Sequence, residues 1–214
     1  MIQIHLVIPF SRLHLKNDLI YGYRDMGAIL HPIMFVDEEI DFSEPLMNGT
    51  TARYIYPEVI QEYSHYCHVK MPGCYKRNWF IRNRPINDED YYVTADDDDF
   101  YEPGVFDKIK TMTEDIIIIS MKRGHHIPEA GKEWFQKHGT STLLAVPEHT
   151  IHGLISAQQS FVKGRIFKEH LFNEEYYCWD GEMAEHHKNS GEQIRYAPDL
   201  YALFNYFEPG RWDK

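Results

Sequence analysis

The 214-residue sequence predicts an α/β protein built as a single domain on a mostly parallel sheet flanked by helices. Three observations lead there. Five short apolar runs recur along the chain: Ile4–Ile8, Ile33–Val36, Tyr91–Thr94, Ile116–Ser120 and Leu143–Val146. Each is rich in β-branched or aromatic residues and apolar on both faces, as strands covered on both sides of a parallel sheet must be. Helical patterns fill the gaps between them, giving the strand–helix alternation of α/β folds. Hydrophobic residues make up 43% and aromatic residues 14% of the chain, enough to fill one sizeable core.

Taken in order, Ile4–Ile8 is the first strand, and Ser11 caps a helix expected to run to about Leu30, with Leu15, Leu19, Tyr23 and Met26 at helical spacing. Ile33–Val36 is the second strand. Pro72 and Gly73 precede a helix over Tyr75–Asn83 that has Trp79 and Phe80 on its apolar side. Tyr91–Thr94 follows as a strand, and Pro103-Gly104 opens a helix over Val105–Met112. From about Ile151 aromatic residues mix with Glu and His, and no clean strand run is visible. That stretch reads as a half-domain packed on the sheet and carrying substrate contacts. Repeats, low-complexity tracts and linkers are absent, so residues 1–120 and 121–214 are expected to be two halves of one domain.

Composition narrows the function. Lys and Arg number 22 against 33 Asp and Glu, a formal charge of −11 that disfavours broad binding to phosphate backbones. No apolar run approaches the ~20 residues of a membrane-spanning helix. Met1–Pro9 lacks the charged flank and cleavage site of a signal peptide. Cys67, Cys74 and Cys178 are too few for a disulfide framework. A cytoplasmic location is expected.

The most informative segment runs from Tyr91 through Asp96-Asp97-Asp98-Asp99 to Pro103-Gly104. A buried strand delivers four aspartates to a point where a turn must begin. Packed like charges repel and resist desolvation unless a cation relieves them. Hard divalent ions such as Mg²⁺ or Mn²⁺ take oxygen ligands, frequently one or two carboxylates plus substrate phosphates. A solvated acidic turn is the plain alternative.

This arrangement resembles the GT-A glycosyltransferases, most closely glycosyltransferase family 2, in which a hydrophobic strand ends in Asp-x-Asp or Asp-x-Asp-Asp followed by an aromatic residue and Pro. The resemblance implies a GT-A-type, Rossmann-like sheet and a nucleotide-sugar donor site in the first half of the chain. It casts Asp96 as a contact to the ribose or to the waters of the metal, and Asp98 as the direct ligand of a Mn²⁺ or Mg²⁺ that bridges the donor diphosphate. Asp97 and Asp99 leave the register open by one residue. The turn Pro9-Phe10-Ser11-Arg12 resembles the one that cradles base and ribose; a capped helix after a strand is the alternative. Asp37, after the second strand, would accept a hydrogen bond from the base, with a surface aspartate as the alternative. Lys76, Arg77 or Asn78, the last standing 18 positions before Asp96, would meet the nucleotide or position the metal loop; an amphipathic helix with a basic face explains them equally well.

A third acidic element lies at Trp179-Asp180-Gly181-Glu182. Inverting transfer needs a carboxylate that takes the proton of the attacking hydroxyl. The resemblance assigns that role to Asp180, with Glu182 as runner-up; acidic residues favoured by a helix N-terminus are the alternative. The family sometimes adds a late histidine to the metal, a role open to His186, His187 or His152; a surface or hydrogen-bonded histidine is the alternative for each. The implied activity is metal-dependent transfer of a hexose from a nucleotide-diphosphate sugar, UDP-linked, to a hydroxyl on a glycan, lipid-linked glycan, protein or modified nucleic-acid base. Compact transferases of this kind also occur in phage genomes. Two rival readings use the same carboxylates: a metal-dependent phosphoesterase or nucleotide-sugar hydrolase recruiting Asp37 and His125, and a non-catalytic acidic metal-binding module. The tetrad lacks the alternating spacing of an EF-hand loop.

Overall fold

A computed structural model describes residues 1–10, 23, 26–35, 58–60, 72–122, 142–151, 155–174 and 179–204. Strands β1 (Ile4–Pro9), β2 (Ile29–Phe35), β3 (Glu58–Ile60) and β4 (Tyr91–Thr94) pair in parallel in the order β3-β2-β1-β4. Beyond β4 come β8 (Ser160–Lys163), β6 (Ile116–Lys122), β9 (Ile194–Leu203) and β5 (Phe100–Tyr101), while β7 (Thr142–Leu143) pairs with β6. Strand β8 is antiparallel to both β4 and β6, and β9 is parallel to β6. Six of the nine strands (β1 to β4, β6 and β9) therefore run the same way. The sheet is mostly parallel and mixed only where β8, β5 and β7 enter.

Alternation along the strands sorts the core into two layers. Ile4, Leu6, Ile8, Tyr91, Val93, Ile117 and Ile119 join one buried cluster. Val7, Tyr92, Ile116 and Ile118 join another, beneath helix α1 (Pro72–Asn83) and beside helix α4 (Trp179–Asn189). The short helix α2 (Val105–Ile109) buries Val105, Phe106 and Ile109 on the first layer. The short helix α3 (Gly164–Phe167) puts Ile166 and Phe167 into the second. Among the described residues no helix is long and apolar enough to cross a membrane.

Several expectations need correction. The first helix cannot reach Leu30, because Gly27 adopts a left-handed φ of 69° and β2 begins at Ile29. The rest of that helix, Tyr23 apart, lies outside the described residues. The Leu143–Val146 run is a strand only over Thr142–Leu143. The helix expected over Val105–Met112 ends at Ile109. The stretch after Ile151 does contain strands, β8 and β9. In β8, buried Ser160 and Lys163 mask the apolar pattern. In β9, Ala197 pairs with Ile119 but Tyr201 with Ser120, so Pro198, Asp199 and Leu200 bulge out and interrupt the run.

One polar chain crosses the second layer. Asp90 Oδ2 lies 3.3 Å from His5 Nε2, and His5 Nδ1 lies 2.9 Å from His31 Nε2. An ionised Asp90 can only accept, so His5 donates through Nε2 and accepts at Nδ1 from His31. His31 Nδ1 is then bare, buried and without a hydrogen-bond partner among the described residues. Burial, aided by His5 and Arg84, lowers the pKa of His31 to about 3; burial with His170 and His186 does the same for His187 in α4. Both side chains thus fold neutral, whereas in the unfolded chain they take a proton below about 6.5. The folded state binds fewer protons, so stability is complete above pH 6.5 and drains as pH falls towards 3, by up to ~1.4 kcal/mol per pH unit for each histidine. Urea unfolding measured from pH 7.5 to 4.5 is expected to show this slope, and His31→Phe or His187→Phe is expected to flatten it.

Candidate active site

Strand β4 is buried along all four residues and lies between β1 and β8, so the chain leaves it at the C-terminal edge of the parallel strands. That edge is where open α/β sheets bind ligands. Ala95 N still donates to Val7 O at 3.4 Å, and then the chain turns: Asp99 N donates to Asp96 O at 3.2 Å, while Asp99 Oδ2 accepts from Asp96 N at 3.1 Å. The tetrad is a closed turn held by one of its own side chains. Asp97, Asp98 and Asp99 are buried and Asp96 is exposed. Oxygens of Asp96, Asp98 and Asp99 all lie within 4.8 Å of one another, close enough to share one ion. The buried Tyr23 Oη donates to Asp99 O at 3.0 Å and fixes the turn from the other side.

Helix α1 supplies the opposite wall. A basic face turned to water is not what forms: Lys76, Arg77 and Asn78 are all buried. Such groups are buried only with partners, and each has its own. Lys76 Nζ donates to Phe10 O at 2.7 Å, fixing the exit of β1. Arg77 Nη2 donates to Asp96 Oδ1 at 2.8 Å. Asn78 Nδ2 donates to Phe172 O at 2.8 Å and to Glu174 Oε1 at 2.6 Å, and its Oδ1 accepts from Phe172 N at 2.7 Å. Asn78 therefore holds the segment that leads into α4.

Helix α4 has Asp180 and Glu182 in its first turn and His186, His187 and Lys188 in its last, the charge order its dipole favours. Asp180 Oδ1 accepts from Gly181 N at 2.9 Å. Burial raises the pKa of its carboxyl above the usual range, the Gly181 N–H and Arg77 pull it back, and Asp96 pushes it up. The charges of Arg77 and Asp96 thus reach Asp180. Glu182 is exposed and accepts from Asn173 Nδ2 at 3.2 Å. His186 stacks on His170, with ring centroids 4.3 Å apart. The carboxylate group that could hold an ion contains no histidine among the described residues.

No family model matches this chain, and no curated protein matches. Among solved structures, the 1–349 fragment of Staphylococcus aureus TarS aligns with a TM-score of 0.58 at 13% identity, over 94% of this chain and 60% of that one. A longer S. aureus TarS structure aligns at 0.57 and 14% identity, over 94% of this chain and 36% of that one. TarS has the GT-A-type fold. The present fold is of the GT-A type. The chain spans about 60% of the shorter TarS structure and about a third of the longer.

Within the GT-A frame, Pro9 closes β1, and Phe10 is buried and tied by its carbonyl to Lys76 and by its N–H to Ile33 O at 2.8 Å. Ser11, Arg12, Asp37, His125 and His152 lie outside the described residues. Arg77 is paired with Asp96 of the acidic turn, and the charges of both reach Asp180; Lys76 and Asn78 are buried on Phe10 O and on Phe172 and Glu174. Asp99 joins Asp96 and Asp98 as a candidate ligand, and the open register in the tetrad is the signal that pointed to it. The pairing of Arg77 with Asp96 had no signal in sequence beyond membership of a polar triplet.

Because the folded pKa of Asp180 lies above its unfolded value, the folded state is favoured below the ordinary carboxyl range and loses that advantage as pH rises through the folded pKa. The ionised carboxylate is a destabilising group at neutral pH. Asp180→Asn is expected to raise Tm at pH 7, with the gain vanishing below about pH 4; calorimetry at the two pH values checks it.

Proposed function

We propose that this chain is a metal-dependent glycosyltransferase that moves a sugar from a nucleotide-diphosphate donor, UDP-linked, to a hydroxyl acceptor with inversion. The observation that carries this reading is the convergence of Asp96, Asp98 and Asp99 at the C-terminal edge of β4, with Arg77 on Asp96 and Asp180 within the field of both. The donor set is three carboxylates, which fits a hard ion such as Mn²⁺ or Mg²⁺. When bound, such an ion neutralises charge that develops on the departing diphosphate. Asp96, Asp98 and Asp99 would hold it. Asp180, made more basic by burial, takes the proton of the acceptor hydroxyl as its oxygen attacks the anomeric carbon and the bond to the diphosphate breaks. The buried α1 wall holds Asp96 and the α4 approach at fixed positions, which is what such a reaction requires of a scaffold. The similarity to TarS supports the fold on which this reading stands. The acceptor class is a hydroxyl on a glycan, lipid-linked glycan, protein or modified nucleic-acid base, and the location cytoplasmic.

Calorimetric titration of UDP with and without Mn²⁺ is expected to show micromolar binding only with the metal. Absence of binding for UDP, GDP and the other nucleotides under either condition would reject the reading in favour of a non-catalytic metal module. Asp98→Ala is expected to abolish the metal-dependent binding. Asp180→Asn is expected to keep donor binding and lose transfer by at least ~10²-fold; full turnover would move the base to Glu182.

A further inference from the structure

We infer that Arg77 makes cation binding at the acidic turn conditional on the donor: its fixed positive charge weakens binding of the bare ion and strengthens binding of the diphosphate. The inference rests on the glycosyltransferase reading of the site. Its basis is how firmly the guanidinium is built in. Arg77 Nη2 lies 2.8 Å from Asp96 Oδ1, and the arginine side chain is 4% exposed where the aspartate is 53% exposed. The guanidinium occupies space left by a missing side chain, since a Cβ on Gly73 would stand 2.9 Å from Arg77 Nη1 and 3.8 Å from Pro9 Cγ. The Phe172 ring lies 6.0 Å from the guanidinium carbon, and Asn78 clamps Phe172 through both its N–H and its carbonyl. Helix, ring and carboxylate therefore hold this charge in one place.

Two opposite effects follow from that position. A divalent ion approaching Asp96 meets a like charge that already shares the carboxylate, so its attraction to the three aspartates is reduced. A diphosphate brings at least two negative charges to the carboxylate side of the same pair and is attracted by the fixed charge behind it. One residue thus penalises the first ligand alone and favours the pair, so cation and donor bind together. Loss of Arg77 must split the two affinities in opposite directions, whereas a residue needed only to keep the site folded would lower both.

The test is Mn²⁺ binding to the free protein, followed by electron paramagnetic resonance, and UDP binding in saturating Mn²⁺, followed by calorimetry, for wild type, Arg77→Gln, Arg77→Lys and Gly73→Ala. Arg77→Gln is expected to bind Mn²⁺ alone about tenfold more tightly and UDP about tenfold more weakly, the order of one unit charge at contact range in a partly screened site. Arg77→Lys keeps the charge and is expected to hold Mn²⁺ affinity near wild type. Parallel weakening of both ligands in Arg77→Gln, or no change in either, overturns the inference and leaves the glycosyltransferase reading intact. Wild type that binds neither Mn²⁺ nor UDP rejects that reading itself. Should Arg77→Gln not fold, Gly73→Ala displaces the guanidinium without removing it; the same opposite shifts, smaller in size, support the inference, and a parallel loss rejects it.

Discussion

The architecture turns on how four consecutive aspartates can leave a buried strand. β4 is paired on both edges and covered on both faces, so only Asp96 reaches solvent; Asp97, Asp98 and Asp99 are buried where the strand ends. Buried carboxylates demand hydrogen bonds or opposite charge. The turn supplies part of this internally, through the Asp96 N–H on Asp99 Oδ2. Helix α1 adds an opposite charge at Asp96 and carries two further buried polar residues beside it. Arg77 meets the acidic turn, Lys76 meets the exit of β1, and Asn78 meets the segment before α4. Three separate regions of the molecule are thereby referenced to a single turn of helix. Burial also raises the pKa of the Asp180 carboxyl at the start of α4.

Strands β1, β4 and β6 were legible in sequence because a strand covered on both faces needs a continuous apolar run, and few other structures do. The acidic tetrad was legible for the converse reason: four like charges directly after such a run have few comfortable destinations. β8 was not legible, since Ser160 and Lys163 are polar yet buried, the lysine reaching Glu89 O and lying over the Tyr91 ring at 4.2 Å. β9 was hidden by Pro198-Asp199, which reads as a break, whereas the strand runs on through a three-residue bulge and returns to its partner.

The polar triplet Lys76-Arg77-Asn78 shows where sequence reading stops. Neighbouring positions on a helix point about 100° apart, so no single apolar core can bury Lys76, Arg77 and Asn78 together. Their burial needs three different neighbours, and those come from residues 10, 96 and 172–174, far apart in the chain. Local pattern contains no record of such partners. An exposed basic face and an internal brace look alike until tertiary structure decides between them.

The position of β8 also dictates an order of assembly. β1 to β4 can pair as soon as residue 94 has been made, but the free edge of β4 is filled only by residues 160–163, and β6 can join the sheet only through that strand. During synthesis, a parallel half-sheet with a naked, hydrophobic edge therefore waits for some seventy more residues. Long-range closure of this sort is slow, and an open edge invites pairing with another chain. The polar ends of β8 fit that circumstance: the strand that seals the sheet is itself poorly suited to sticking anywhere else.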